Sequence, residues 1–162
     1  YKPKNYAEEN QIDFVYGAIE GKKIISVACG ALHSVCITDD GDVYSWGSGK
    51  AGATGQGTFD QIDEPKKIEG LKDIVKINCG LDYTICMDKS GDLYSWGSNR
   101  YGQLGMTCMN TYKQNQPIKI QLPAEIKSII NFSCGEEHSA MLSENGDVYT
   151  WGYGNDGQLG HK

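Results

Sequence analysis

One phrase is written three times in this chain. The stretches Ile24–Gly55, Ile74–Gly105 and Ile129–Gly160 align without a gap, and ten columns are identical in all three copies. These are the opening Ile, a Cys-Gly pair, a Gly-Asp pair, a Tyr, a Trp-Gly pair and two later glycines. Trp46, Trp96 and Trp151 mark the phase, at intervals of roughly fifty residues. A period of that length points to stacked units or blades rather than to one enzyme-like core, because each unit buries its apolar face only against the next.

The residue types say what a unit is made of. In the middle copy, Ile74-Val75-Lys76-Ile77, Thr84-Ile85-Cys86-Met87 and Leu93-Tyr94-Ser95-Trp96 are short β-branched or aromatic runs bounded by glycine or charge. The last two are joined by Asp88-Lys89-Ser90-Gly91-Asp92, matched by Asp39-Asp40-Gly41-Asp42 and Glu144-Asn145-Gly146-Asp147. A tight hairpin needs a residue that tolerates positive φ, which accounts for the glycine. A fourth strand is predicted over Glu64–Ile68 and over Gln116–Ile120, and the proline in each suits an outer edge where no amide is needed. No helical periodicity intervenes. The expectation is all-β: β-propeller blades of four short antiparallel strands.

A chain of 162 residues with 39% hydrophobic residues and 21 glycines is long enough for a real core and rich in turns. With 15 basic and 21 acidic residues it carries a net charge of −6, so no direct contact with nucleic acid is expected. No apolar run reaches the length of a bilayer span, and Tyr1-Lys2-Pro3-Lys4-Asn5 lacks the apolar centre of a signal peptide. An intracellular chain, nuclear, cytoplasmic or cytoskeletal and not secreted, is expected.

Six cysteines raise the question of disulfides or metal. Cys29, Cys79 and Cys134 share one column, and Cys36 and Cys86 share another that holds Met141 in the third copy, so no CxxC pair arises. Small buried thiols fit this pattern better, and reduced core thiols agree with an intracellular compartment. The predicted core is therefore Cys29, Gly30, Trp46, Gly47, Cys79, Gly80, Trp96, Gly97, Cys134, Gly135, Trp151 and Gly152, with Cys108 outside the columns.

Motifs that suggest chemistry dissolve on inspection. Gly47-Ser48-Gly49-Lys50-Ala51-Gly52 and Gly152-Tyr153-Gly154-Asn155-Asp156-Gly157 match a dinucleotide fingerprint, but the middle copy lacks the central glycine. No amphipathic helix follows any copy to hold a pyrophosphate at its N-terminus. His33, Tyr83 and His138 share a column, and the tyrosine favours polar aromatics bonded to neighbouring strands over metal ligands. There is no nucleophile elbow and no Cys-His pair in a catalytic setting. Neither a catalytic group, a cofactor nor a metal is expected.

The order of apolar run, Cys-Gly, hairpin with Gly-Asp, Tyr-x-Trp-Gly and Gly-Gln-Leu-Gly resembles the regulator of chromosome condensation repeat, from Ile24 to Gly160. The first copy departs from it at Ala53-Thr54. The resemblance implies a propeller usually of seven blades, of which this chain would supply about three, an incomplete ring. Residues 1–21 read as a leader or the end of a preceding blade, and 22–162 as repeats with hearts at 24–55, 74–105 and 129–160. Open sheet edges call for protein partners that complete or cap them, so a larger protein or assembly is expected. The connector after Gly105 is longer than its counterpart by about five residues and carries Met106, Cys108, Met109 and Tyr112, which read either as a partner-binding loop or as a loop folded back on its own blade. Two functions follow: a non-enzymatic protein-interaction scaffold, or, as the family's founding member implies, guanine-nucleotide exchange on a small GTPase.

Overall fold

A computed structural model of the chain describes residues 14–106 and 111–161. Three antiparallel sheets follow one another. The first contains β1 (Ile24–Cys29), β2 (His33–Thr38), β3 (Val43–Gly47) and β4 (Ile62–Lys67) in that spatial order. The second repeats it with β5 (Ile74–Cys79), β6 (Tyr83–Asp88), β7 (Leu93–Ser98) and β8 (Lys113–Lys119). The third has β9 (Ile129–Cys134), β10 (His138–Ser143) and β11 (Val148–Gly152). There is no helix among the described residues.

Register repeats as faithfully as sequence. The hairpins close on Ile37↔Val43, Met87↔Leu93 and Leu142↔Val148, and a bulge recurs where the first strand of each blade meets the second. Gly41, Gly91 and Gly146 sit at φ 81°, 85° and 89°, the left-handed backbone the turn requires. β1 packs beside β5 and β5 beside β9, so the first strands gather on one side and the fourth strands lie outward. Pro65 in β4 and Pro117 in β8 occupy those outer edges.

The apolar core lies between the blades. One cluster joins Val35, Ile37 and Val43 of the first blade to Ile74, Ile77, Cys86 and Trp96 of the second; another joins Tyr83, Ile85, Leu93 and Leu104 to Ile129, Phe132 and Met141. Position in the stack decides burial. Trp96 is fully buried, whereas Trp46 and Trp151 are half-buried, and Cys29 is exposed rather than in the core. Trp46 and Cys29 belong to the first blade, which has a neighbour on one side alone among the described residues. Residues 17–21 turn back, with Glu20 N–H donating to the Gly17 carbonyl at 2.9 Å and no strand over 14–21.

Candidate functional site

Two columns of hydroxyl side chains organise the contacts between blades. On the third strand of each blade, Ser45, Ser95 and Thr150 donate to the Thr54, Leu104 and Leu159 carbonyls at 2.5, 2.8 and 2.6 Å, closing the long loop onto its own sheet. The carbonyl one residue earlier turns to the next blade. The Ala53 carbonyl accepts from the Trp96 indole at 2.8 Å and the Thr84 hydroxyl at 3.3 Å; the Gln103 carbonyl accepts from the Trp151 indole at 2.8 Å and the Ser139 hydroxyl at 3.2 Å.

The third column reaches the opposite way. His33 Nε2 lies 2.9 Å from Thr84 Oγ1, and the Tyr83 hydroxyl lies 2.9 Å from Ser139 Oγ while donating to the His138 carbonyl at 2.5 Å. Since Thr84 donates onward to a carbonyl, it accepts from a His33 protonated on Nε2, which leaves Nδ1 buried without a partner. Burial lowers the His33 pKa to about 4, partly offset by the nearby Asp82 carboxylate. Burial pushes the Tyr83 hydroxyl well above its ordinary range. Each blade thus reaches forward with an aromatic ring and backward with an indole.

The predicted core glycines serve these rings. A Cβ on Gly30, Gly80 or Gly135 would strike the ring of His33, Tyr83 or His138. Gly97, at φ 108°, has the Asp82 carbonyl where a Cβ would go, and Gly47 and Gly152 meet the same obstacle at Leu32 and Glu137. The five described cysteines are free thiols. Burial raises the Cys36 pKa to about 11, Cys79 and Cys134 to about 12, and Cys86 well above the usual thiol range. Such thiols are protonated and poor nucleophiles near neutral pH. In the two fingerprint-like loops, Gly52 lies against the Gln114 carbonyl and Gly154 against the Leu159 side chain, so both glycines serve packing within the chain.

The long connector splits. Met106 is half-buried against the second core cluster, its thioether 3.8 Å from the Asn99 side-chain nitrogen, while Tyr112 is 74% exposed. Cys108 and Met109 lie outside the described residues. The hydroxyl columns escaped sequence reading because they alternate Ser with Thr and fail a test of strict identity. Their constant chemistry, Ser34/Thr84/Ser139 and Ser45/Ser95/Thr150, was the available signal.

The profile of the regulator of chromosome condensation (RCC1) repeat matches residues 40–87 and 90–142, and a second profile of the same description matches 24–53, 74–103 and 129–158. The ultraviolet-B receptor UVR8 of Arabidopsis thaliana is 38% identical over 95% of this chain and 35% of its own length. Human WBSCR16 superposes with a TM-score of 0.74 at 29% identity, over 83% of this chain and 34% of that one. Prp20p from Saccharomyces cerevisiae, whose structure was described together with its binding properties to Gsp1p and histones, gives 0.71 at 28%, over 82% and 31%. The chain spans about a third of the length of these proteins. The structural likeness is to propellers built of this repeat, the fold its three sheets display.

Proposed function

The chain belongs to the regulator of chromosome condensation (RCC1) repeat family, and from that premise we propose that it acts as a non-enzymatic protein-interaction scaffold. The observation that carries this reading is where its polar side chains go. The aromatic groups that could serve chemistry, His33 and Tyr83, and the hydroxyls of Thr84 and Ser139 are committed to joining one blade to the next. What remains for a ligand is the loop surface of a rigid stack.

The two outer faces fit the same reading. Trp46 and Ser34 stand at the first blade where Trp96 and Thr84 stand in the second, and His138 stands at the third where Tyr83 stands. One face therefore offers donors for a loop carbonyl and the other offers a ring, which suits further blades of this type, in this polypeptide or in another. Free buried thiols support a reducing compartment, nuclear or cytoplasmic. Among the described residues, no helix is long and apolar enough to cross a membrane.

Nucleotide exchange on a small GTPase is the second reading, favoured by the likeness to Prp20p. Release of labelled GDP from a panel of small GTPases separates the two. Catalysed release would replace the scaffold reading, whereas stoichiometric capture of a partner from lysate with GDP release unchanged would support it.

A further inference from the structure

The two ends of the blades treat charge differently. Around the hairpins and the strands beside them, four lysines are paired: Lys23 with Asp39, Lys67 with Asp42, Lys89 with Asp73 and Lys119 with Asp92. On the long-loop face, a cleft of about 510 Å³ collects Lys50, Arg100 and Lys113 together with Asp82 and Glu137, and none of these five makes an ion pair among the described residues. That size lies within the range of ligand clefts.

Topology keeps the two signs apart. Asp82 and Glu137 stand on the turns that join the inner strands β5–β6 and β9–β10, whereas the cations stand on loops leading to the outer strands and at the start of β8. The outer charge is held in place. The Lys113 ammonium sits 4.1 Å from the centre of the Phe59 ring and donates to the Lys50 carbonyl at 3.5 Å, which ties the first blade's loop to the second blade's edge. The exposed Tyr112, next to Lys113 in the chain, forms part of the same wall, a residue type enriched at binding hot spots along with arginine.

We propose that this cleft binds an extended segment of a partner protein with a basic residue directed inward, to Asp82 and Glu137, and acidic residues directed outward, to Lys50, Arg100 and Lys113. Tyr112 covers the stretch between. The proposal rests on the scaffold reading and gives it a site and a class of ligand. A uniformly anionic ligand, such as a phosphate backbone, would meet the three cations and also two carboxylates, so opposed charges select for a peptide of mixed sign and for its direction.

Labelled pentapeptide pools and the intact chain provide the test, read by fluorescence anisotropy. One pool carries Arg followed by two apolar positions and Asp-Glu, a second carries the reverse order, and two more are all-acidic and all-basic. One of the two mixed pools is expected to bind about tenfold more tightly than the other three. The doubly reversed variant Arg100→Glu/Lys113→Glu is expected to lose at least that factor, while Lys89→Glu near the hairpins keeps it. Equal binding of the mixed and all-acidic pools, or no binding of any pool, overturns the proposal on the unmodified chain and so does not depend on the variant folding. Lysate partners captured equally well by the double variant would remove this cleft while leaving the scaffold reading in place.

Discussion

The first and second blades meet by the same rule as the second and third, and meet less well. Between blades two and three, the Tyr83 hydroxyl has three oxygen partners within 3.2 Å, and Leu104 fills the loop position facing the core. Gln103 folds inside its loop, its side-chain oxygen accepting from Tyr101 N–H at 3.0 Å and its amide donating to Ser98 at 3.3 Å. Between blades one and two, His33 stands for Tyr83, Thr54 for Leu104 and Ala53 for Gln103. Among the described residues, both buried side-chain atoms without partners, His33 Nδ1 and Thr54 Oγ1, lie at this junction. The backbone part of the lock survives because a carbonyl does not depend on the side chain that carries it. The side-chain part is where the first copy has drifted, and a buried polar atom left unpaired costs about 1–3 kcal/mol.

The contrast between the two junctions is disturbed most severely by removing an indole. Trp96→Ala is expected to cost about 3–5 kcal/mol, a large share of a typical domain's stability, and half-buried Trp151→Ala clearly less; equal denaturant midpoints would show that burial between blades is not what makes Trp96 matter. Next comes pH. Since the folded His33 titrates near 4 against 6.5 in the ordinary imidazole, the unfolded chain takes up the proton first. Its stabilising contribution is full above pH 6.5, declines as pH falls toward 4 and is lost below, a change on the order of 3 kcal/mol. In His33→Tyr this part of the slope should vanish, and a melting profile between pH 7 and 4 as steep as that of the parent would refute the assignment. Thr54→Val removes the orphaned hydroxyl at nearly constant shape and is expected to stabilise by about 1 kcal/mol; a lower melting temperature would mean that Thr54 has a role the packing does not reveal. Last, Lys89→Ala breaks only an exposed ion pair with Asp73 and should change stability by less than about 0.5 kcal/mol in the same measurement.

Strand identity, hairpin position and the outer prolines were legible in the chain because they are local: period-two apolar runs, a glycine that must adopt positive φ, a residue without an amide. Unequal burial of the three tryptophans was not legible, since identical side chains in identical local settings differ only in what stands beside their blade. The Ala53 and Gln103 carbonyls left no trace either, because every residue has one. The charged cleft was hidden for a third reason. Its charges come from five separate positions spread between Lys50 and Glu137, and only the stacking of the blades brings them to one place.

Because each blade gives its ring to the following unit and its indole to the preceding one, the joint has a head and a tail. An in-phase duplication or loss of one whole repeat leaves both halves of every joint matched, whereas half a repeat strands a Trp or a His without its mate. Such a chain can lengthen or shorten at its connectors in steps of one unit, with the same chemistry at every new seam.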